Sequence, residues 1–309
     1  MIHIENLVKR YGDFVALDHL NLDIEEGEIF GLLGPNGSGK TTAINCLLAL
    51  LKYDKGTVTV FGKPMTPDSY DLKKDIGIVM QNVAVFDQMS VLENIDYFCG
   101  LYVRDKQKRR RLVEEAIVFA GLENYRKMRP KKLSGGLLRR LNIACGIVHK
   151  PKLIILDEPT VAVDPQSRNK ILSGIMELNR QGSTIIYTSH YMEEVEQICS
   201  RIAIIDHGRV LATGTTEELK KMIKTGETIT IEAISLTEPE LAALREFPHV
   251  FDLSYKEQVL TLRLSGAKHN LVRILNYLQE KNISFGQVFS ALPTLNDVFL
   301  EITGKELRD

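Results

Sequence analysis

The stretch GEIFGLLGPNGSGKTT, residues 27–42, decides the fold of this 309-residue chain. Its apolar run ends in a glycine, as a buried strand does when it leads into a loop, and a helix is predicted from Thr41 to about Leu51. The pattern G-x-x-x-x-G-K-[ST] between a strand and a helix is typical of a loop whose backbone N–H groups surround phosphates. Lys40 is placed to add a positive charge to those phosphates, and Thr41 to offer a hydroxyl to Mg²⁺. The stretch therefore predicts an α/β protein with a phosphate site.

A second apolar strand, LIILDEP (residues 153–159), ends in two carboxylates. Carboxylates at the end of a buried strand are costly unless they meet a cation or take part in a reaction. Asp157 is placed to hold Mg²⁺, and Glu158 is placed to accept a proton from an attacking water or to orient that water. Downstream of a phosphate loop, the pair indicates chemistry on the phosphate.

Two more strands end in polar residues, IGIVMQ at Gln81 and IIYTSH at His190. Alone, a glutamine carries little information, and a lone histidine is more often structural. Open α/β sheets bind ligands at the carboxyl ends of their strands, however, so we expect both residues on the side of the phosphate loop. His190 would then lie beside Glu158, where it could sense a γ-phosphate.

The start of one predicted helix is not explained by the phosphate site described so far. Ser134, Gly135 and Gly136 stand immediately before a helical pattern in RPKKLSGGLLRRLNIACGI, residues 129–147. A helix that begins in this way presents free backbone N–H groups and the positive end of its dipole, which favour an anion. The chain already has a phosphate site at Lys40, so a second anion site needs an explanation.

Composition limits the possible functions. The chain has 39 basic and 40 acidic residues, a balance that indicates no global attraction to nucleic acid or to an anionic membrane. No apolar run approaches the ~18 residues that span a bilayer, and the first residues lack a basic-then-apolar signal pattern. Any membrane role is therefore expected to be peripheral. Four scattered cysteines predict small core residues rather than metal ligands or disulfides, which fits a reducing cytoplasm.

The element pattern predicts two domains. Strands and helices alternate through the first two thirds of the chain, as in an α/β sheet, and a helical insertion is interrupted by a charged run. The pattern β-α-β-β-α-β then predicts a small ferredoxin-like α+β domain, followed by a last helix near residues 294–307. The predicted boundaries are 1–220 for the first domain, about 88–150 for its helical subdomain and 225–309 for the C-terminal domain.

The charged run, RDKQKRRR at residues 104–111, is either a nucleic-acid patch or the solvated surface of a helix. The neighbouring acids Asp105, Glu114 and Glu115 dilute its positive charge. We therefore favour a solvated surface and predict no nucleic-acid partner.

In this order and spacing, the phosphate loop, Gln81, LSGG (133–136), LIILDEP, Asp164 and His190 resemble the ATP-binding cassette (ABC) ATPase family. The resemblance covers residues 1 to about 220. It implies a P-loop ABC ATPase cassette, a mixed-sheet core with a helical subdomain, that binds ATP and Mg²⁺ and hydrolyses ATP. The implied metal ligands are Thr41, Gln81 and Asp157, and the implied catalytic residues are Glu158, His190, Lys40 and Gln81. The implied nucleotide contacts are Tyr11, Gly34, Pro35, Asn36, Gly37, Ser38, Gly39, Lys40, Thr41, Thr42, Ser134, Gly135, Gly136 and Asp164.

The resemblance also explains the second anion site. In this family two cassettes dimerise head to tail, and the LSGG segment of one caps the γ-phosphate held by the other. Ser134–Gly136 would then serve the neighbour's ATP, and Asp164 would cross the dimer interface. Tyr11 matches the aromatic residue that stacks on adenine, and Gln81 the residue that contacts Mg²⁺ and couples to the partner.

Two positions depart from the family pattern. Leu137 follows LSGG where glutamine is usual, and Ala162 stands where glycine is common. The phosphate contacts come mainly from the serine and the glycine backbone, so we expect hydrolysis to survive.

Transport is the predicted role. One cassette without a membrane span implies separate transmembrane permease subunits, and a second copy or a homologous ATPase, at the cytoplasmic face of the membrane. Residues 81–102, including Phe86, Asp87 and Glu93, match the region that receives the permease. The ending PTLNDVFLEITG resembles ABC-2 type exporter ATPases for drugs, antibiotics and lipids, and EPTVAVDPQSRN is similar to the linearmycin-resistance branch. The predicted cargo is an antibiotic or another amphiphile. The alternatives are a soluble ABC ATPase acting on DNA or ribosomes, and an importer ATPase.

Overall fold

The computed structural model describes residues 1–233, 235–266 and 269–304. The described chain divides into two compact units, of which the first is Met1–Thr215 and the second begins at Thr216. We describe each unit by itself. The end of the predicted last helix, residues 305–307, lies outside the described residues.

The first unit alternates strands and helices as predicted. Its strands are β1 (Ile2–Tyr11), β2 (Phe14–Ile24), β3 (Ile29–Leu33), β4 (Lys55–Val60), β5 (Lys63–Pro64), β6 (Ile76–Val79), β7 (Leu153–Asp157), β8 (Thr184–Ser189), β9 (Arg201–Asp206) and β10 (Arg209–Gly214). Its helices are α1 (Lys40–Leu47), α2 (Tyr70–Lys73), α3 (Val91–Gly100), α4 (Lys106–Ala120), α5 (Gly135–Ile147), α6 (Pro165–Arg180) and α7 (Met192–Ile198). Helix α1 ends before the predicted Leu51, because Ala49 adopts a left-handed backbone with φ 52°.

The central sheet has the order β10-β9-β3-β8-β7-β6. Strands β9, β3, β8, β7 and β6 run parallel, and β10 pairs antiparallel with β9 at the edge. Every residue of β3, β7 and β8 is buried, as expected of parallel strands that are covered on both faces. The carboxyl ends of β3, β8, β7 and β6 therefore lie at one edge, and each leads into one of the predicted site segments. The predicted α/β class with a mixed sheet is confirmed.

A second, antiparallel sheet has the order β2-β1-β4-β5. Its inward residues, such as Ile4, Leu20 and Val58, join one apolar core with α1 and with the central sheet. This core fixes the helix that follows the phosphate loop, because Ile44 and Leu47 of α1 are buried in it.

Helices α3, α4 and α5 pack around a core of their own, which includes Ile95, Ile117 and Leu141. The predicted interruption of the helical region by the charged run was wrong, because most of the run, from Lys106 on, lies inside α4. Asp105 caps α4, and its carboxylate accepts a hydrogen bond from the Lys108 N–H at 2.6 Å. The break between α3 and α4 is the shorter segment 101–105.

The second unit consists of α8 (Thr216–Lys221), β11 (Glu227–Ala233), α9 (Glu238–Arg245), β12 (Val250–Lys256), β13 (Val259–Leu264), α10 (Asn270–Glu280), β14 (Phe285–Ala291) and α11 (Leu295–Thr303). Its sheet has the order β12-β13-β11-β14, and every pair is antiparallel. Ile231 and Leu262 pack against Leu244 of α9 and Ile274 of α10. This split β-α-β arrangement is the predicted ferredoxin-like fold.

Candidate active site

The phosphate loop connects β3 to α1. Gly37 and Gly39 have φ angles of 81° and 108°, in the left-handed region that favours glycine. A Cβ on Gly39 would also lie 2.9 Å from the Ala16 carbonyl oxygen. Helix α1 starts at Lys40 without a side-chain cap. Its first N–H groups, including those of Thr41 and Thr42, are therefore available to phosphate oxygens.

Lys40 is buried at the bottom of this loop, with 6% of its surface exposed. Its ammonium donates to the carbonyl oxygens of Gly34 at 2.7 Å and Pro35 at 3.2 Å. Burial lowers the Lys40 pKa, and the nearby Glu158 and Asp157 carboxylates oppose that shift. The loop thus holds a positive charge among its own backbone oxygens, with two acids close by.

Asp157 ends β7 and Glu158 follows it, at the carboxyl end of the strand as predicted, and both are buried. Thr188 of β8 fixes them: its hydroxyl donates to Asp157 Oδ1 at 2.7 Å, and the Glu158 N–H donates to that same hydroxyl at 2.9 Å. Glu158 has a φ of 47°, which is strained for a residue with a side chain. A buried, strained glutamate at the end of a strand is the kind of backbone outlier that clusters at functional sites.

Gln81 and His190 meet at Glu158, where the sequence placed His190; for Gln81 it gave only the same side of the sheet. The Gln81 amide donates to Glu158 Oε2 at 2.8 Å. His190 Nδ1 lies 3.5 Å from Glu158 Oε1 and, among the described residues, has no hydrogen-bond partner. The two carboxylate oxygens of Glu158 thus face residues from the ends of two other strands, β6 and β8.

Oxygen donors for a divalent cation lie next to the phosphate loop. The Thr41 hydroxyl donates to Asp157 Oδ2 at 3.3 Å, so one hydroxyl and one carboxylate converge at the start of α1. The Gln81 side chain, which reaches Glu158, carries a further amide oxygen. These hard oxygen ligands fit Mg²⁺, which is bound through one or two protein groups together with substrate phosphates.

Helix α5 holds the Gln81 segment, which sequence analysis did not predict. The buried guanidinium of Arg139 donates to the carbonyl oxygens of Met80 at 3.0 Å and Gln81 at 2.7 Å. Asn142, one turn on, accepts from the Ala84 N–H at 3.0 Å. Burial lowers the Arg139 pKa, and the carboxylates of Asp157 and Glu158 oppose that shift. The helix that begins at Ser134 therefore fixes the backbone that carries Gln81.

Glu194 of α7 joins the segments that carry Glu158 and His190, and it too was not predicted. Its buried Oε2 accepts hydrogen bonds from the hydroxyls of Thr160 at 2.7 Å, Tyr187 at 2.5 Å and Ser189 at 3.1 Å. Its other oxygen lies 3.2 Å from Arg168 Nε. Thr160 follows Glu158 by two residues and Ser189 immediately precedes His190, so one carboxylate ties both segments to α6.

The remaining predicted residues lie apart from this cluster. Ser134 caps α5 and, with Gly135, is exposed. A Cβ on Gly136 would meet Ser167 Oγ at 2.3 Å and Asp164 Oδ2 at 2.9 Å, so α5 starts against the start of α6. Within the described residues, no hydrogen bond joins Ser134–Gly136 to the phosphate loop of the same chain. Tyr11 is the last residue of β1, next to the β1–β2 turn, with 51% of its surface exposed.

Both departures from the family pattern have local explanations. The Leu137 side chain packs against the core of the helical region, and its N–H donates to the Ser134 hydroxyl at 3.3 Å. Ala162 has a φ of 58°, in the region where glycine is unstrained. The leucine therefore serves packing, while the alanine costs some backbone strain.

Comparison with known proteins adds the family. A model of the ABC transporter family matches residues 17–161, and a model of the ATP-binding protein DrrA1-3-like, C-terminal domain, matches residues 214–303. The linearmycin resistance ATP-binding protein LnrL of Bacillus subtilis (strain 168) is 38% identical over 312 residues, covering 100% of this chain and 100% of that protein. The chain belongs to the ABC transporter ATP-binding family.

Two further similarities support the assignment. The Nod factor export ATP-binding protein I of Burkholderia orbicola (strain AU 1054) is 34% identical to this ABC ATPase, over 100% of this chain and 98% of that protein. The dimeric ATP-binding cassette MJ0796, solved in a post-hydrolysis state with ADP and Pi, matches with a TM-score of 0.64 and 29% identity. That match covers 70% of this chain and 98% of the solved one.

This ABC ATPase is therefore an ATP-hydrolysing enzyme that binds nucleotide, and its predicted resemblance to ABC-2 type exporter ATPases is confirmed. It is of the type found in drug resistance and Nod factor export. The relatives described above give no support to action on DNA or ribosomes or to import. In the part of the chain that the structure describes, no helix is long and apolar enough to cross a membrane.

Proposed function

We propose that this ATPase dimerises around two ATP molecules and drives separate transmembrane subunits that export an antibiotic or another amphiphile. The observation that carries the proposal is the buried Glu158 carboxylate, which accepts from Gln81 and lies close to His190 beside the phosphate loop. The names of two relatives, for linearmycin resistance and Nod factor export, support export as the direction.

In the proposed mechanism Glu158 accepts the proton of the attacking water. The Thr188 hydroxyl accepts from its backbone N–H and the Gln81 amide donates to its carboxylate, so Glu158 is held in one orientation before the reaction. Lys40 and the N–H groups at the start of α1 bind the β- and γ-phosphates and stabilise the charge that develops there. His190, next to Glu158, donates to the γ-phosphate.

Mg²⁺ would be held by Thr41, Asp157 and Gln81, and when bound it neutralises phosphate charge. Asp157 stays in place because the Thr188 hydroxyl occupies its other oxygen at 2.7 Å. Lys40 begins α1 and Thr41 follows it, so the phosphate ligand and the metal ligand lie on the same helical turn.

In the proposed dimer each ATP is completed by the neighbouring chain. Ser134 and Gly135 are exposed at the start of α5, as an anion site for a partner requires. They would cap the γ-phosphate held by the partner's loop, while Asp164 crosses the interface and Tyr11 stacks on adenine. The partner is a second copy of this chain or a homologous ATPase.

The proposed docking surface for the transmembrane subunits lies within residues 81–102, around Phe86. Phe86, Tyr97 and Phe98 form an aromatic group there, with ring centroids 5.0 to 6.0 Å apart, and Phe86 and Tyr97 are each more than 40% exposed. Buried Asn94 fixes the segment, because its amide bonds the Phe86 N–H and the carbonyl oxygens of Phe86, Met89 and Ser90. Asp87 and Glu93 lie on the same segment. A rigid surface with exposed aromatic rings fits a docked helix from a permease. Binding to the permease would hold the ATPase at the cytoplasmic face of the membrane.

Affinity purification of the tagged chain from its own cells tests this function. We expect a hydrophobic multi-helix subunit to co-purify, and Phe86→Asp to abolish that association while ATP binding persists. Leu50→Asp is the control, since Leu50 is also exposed, at 63%, but lies after α1. Ribosomes or DNA in place of the membrane subunit would refute the proposal.

A further inference from the structure

The charged run at residues 104–111 takes no part in the nucleotide site. Arg109 pairs with Asp96 at 2.9 Å, and Arg111 lies 3.6 Å from Glu115. The other four cations are exposed, and the described residues offer them no ion-pair partner. We call them the basic patch: Arg104, Lys106, Lys108 and Arg110. The whole chain has a net charge of −1, so any attraction of this patch for an anion is local.

The acids near the patch each have a hydrogen-bond or ion-pair partner other than the four patch side chains. Asp105 caps α4 through the backbone N–H of Lys108. Glu114 forms two hydrogen bonds with Arg126, and Glu115 pairs with Lys150. Arg126 lowers the pKa of Glu114, but Glu114 nevertheless stays close enough to Arg110 for that cation to contribute to the shift, and Asp105 keeps its charge when it caps the helix. Residues 104–111 carry six cations against the four nearby acids Asp96, Asp105, Glu114 and Glu115, so the field at the basic patch remains positive.

The basic patch lies at the N-terminal end of α4, where positive charges disfavour the helix. Helix α4 begins at Lys106 and has no acidic residue in its first turn. The Asp105 carboxylate at the N-cap offsets part of the repulsion between the helix dipole and the cations that follow it, and Lys106 and Arg110 stand four residues apart, where like charges repel. The first turn of α4 thus keeps cations at positions where an isolated helix favours acids, as a surface with another role would.

Two apolar side chains precede the patch. Leu101 is 61% exposed and Tyr102 is 44% exposed. The Tyr102 ring stacks flat on His149, with centroids 3.8 Å apart and 7° between the planes. One face of the ring is thus occupied and the side chain is fixed. An apolar pair next to four cations has the composition of a surface that meets lipid headgroups.

We propose that the basic patch binds the anionic headgroups of a membrane, with Leu101 and Tyr102 entering the headgroup region. The inference rests on the proposed membrane location and deepens it, because the Arg109–Asp96 pair joins the start of α4 to α3, within the proposed permease surface. Lipid fits better than nucleic acid: single strands are bound by stacking on free aromatic faces, and His149 already covers one face of Tyr102.

Co-sedimentation of the full chain with vesicles tests the proposal, without ATP and without permease. We compare phosphatidylcholine vesicles with vesicles that also contain phosphatidylglycerol. The patch variant carries Arg104→Gln, Lys106→Gln, Lys108→Gln and Arg110→Gln. The control variant removes the same charge from exposed positions elsewhere, through Lys52→Gln, Lys55→Gln, Lys74→Gln and Lys170→Gln.

We expect binding only to the phosphatidylglycerol vesicles, weakening as salt rises. Each cation near an anionic surface contributes about fivefold, so the patch variant should lose at least ~10²-fold in affinity and the control far less. Leu101→Gln should weaken binding without changing its salt dependence. The patch variant should melt at or above the wild-type temperature, because it removes charges that oppose the helix dipole.

Equal loss in the control variant, or equal binding to both vesicle types, would overturn the proposal. So would full binding by Leu101→Gln, which would mean contact without insertion, or displacement of the vesicles by a short RNA at lower concentration. Vesicle binding involves neither ATP nor permease, so its failure leaves the proposed function standing. Failure of permease co-purification would likewise not explain a loss of vesicle binding.

Discussion

Arg139 donates a hydrogen bond to the carbonyl oxygen of Gln81 at 2.7 Å, across 58 residues of sequence. Through this contact the helix that begins at Ser134 holds the segment whose side chain reaches Glu158. The start of α5 and the Gln81 amide are therefore mechanically linked within one chain.

Replacing Arg139 tests that link. Arg139→Ala removes two hydrogen bonds from a charged donor and leaves the Met80 carbonyl oxygen with only the Asn142 amide at 3.5 Å. This should cost about 1–3 kcal/mol of unfolding free energy. Misplacement of Gln81 should lower the ATPase rate by up to ~10²-fold. Arg140→Ala is the matched control, since Arg140 on the same helix donates to the Ala120 carbonyl oxygen at 2.7 Å. It should lose stability while the folded protein keeps its rate. Equal kinetic loss in both variants would show that Arg139 acts only through stability.

Glu158→Gln should abolish turnover and keep nucleotide binding. The substitution removes the proton acceptor, yet its amide oxygen still accepts from Gln81, so a loss of ~10²–10⁴-fold in kcat is expected. Equilibrium ATP binding and native mass spectrometry should show an ATP-bound dimer that persists. Wild-type turnover by this variant would contradict the assignment.

Mixed dimers test whether Ser134 serves the neighbouring chain. Ser134→Arg and Lys40→Ala should each be inactive as homodimers, because both composite sites are broken. A mixed dimer has one intact site, so ATPase activity should return and peak near equal proportions, measured with the membrane subunits present.

A flat response to mixing has two explanations, either that Ser134 acts on its own chain's nucleotide or that both sites must fire together. Nucleotide-dependent crosslinking of Ser134→Cys to the partner's phosphate loop separates them. Absence of a crosslink under ATP would refute the head-to-tail arrangement.

Removing the Glu194 carboxylate should loosen both segments that it joins. Glu194→Gln weakens three hydroxyl contacts and the pair with Arg168, for an expected loss of about 1–3 kcal/mol in denaturant unfolding. Glu193→Gln, an exposed neighbour on α7, is the control and should change stability little. If the two variants unfold alike, Glu194 contributes nothing through its contacts.

The cysteine thiols should be unreactive in the folded chain. Burial raises the Cys46 pKa from 9.0 to about 11, and it also raises the pKa values of Cys99, Cys145 and Cys199. A thiol reagent at pH 8 should therefore modify the native protein slowly and the denatured protein rapidly.

The same shift predicts how stability depends on pH. The unfolded state releases the Cys46 proton at lower pH than the folded state, so this thiol contributes stability that is lost between pH 9 and about 11. Unfolding free energy should fall across that window, and Cys46→Ala should flatten the slope. A slope that Cys46→Ala leaves unchanged would contradict this pH dependence. Rapid labelling of the native thiols at pH 8 would contradict their predicted low reactivity.

The sequence predicted residues that end strands, and it missed residues that lie inside elements. Asp157, Gln81 and His190 follow apolar runs, so their common location follows from the parallel sheet. Arg139 is one of several polar residues in a helix, and its partner lies 58 residues away. Nothing in the local pattern of MEEVEQI distinguishes the buried Glu194 from the exposed Glu193.

The predicted helix boundaries were wrong where a single backbone angle or a helix cap sets the end of the helix. The φ of 52° at Ala49 ends α1 early, and the Asp105 cap starts α4 inside a run that looks like a break. Such features depend on a hydrogen bond or an angle at one residue, which hydrophobic periodicity does not carry.

Gly136 is constrained twice. A helix start that binds phosphate needs backbone N–H groups that no side chain covers. Independently of phosphate, the side chains of Ser167 and Asp164 exclude a Cβ at this position, since Ser167 Oγ would lie 2.3 Å from it. A scan of substitutions at residue 136 would thus show intolerance even in a chain that never meets ATP, since alanine alone pushes α5 away from α6. Intolerance at Gly135, where a Cβ would meet its nearest neighbour only at 3.8 Å, has no such internal cause. The requirement for glycine at 135, not at 136, is therefore the measurement that reports on the partner's nucleotide.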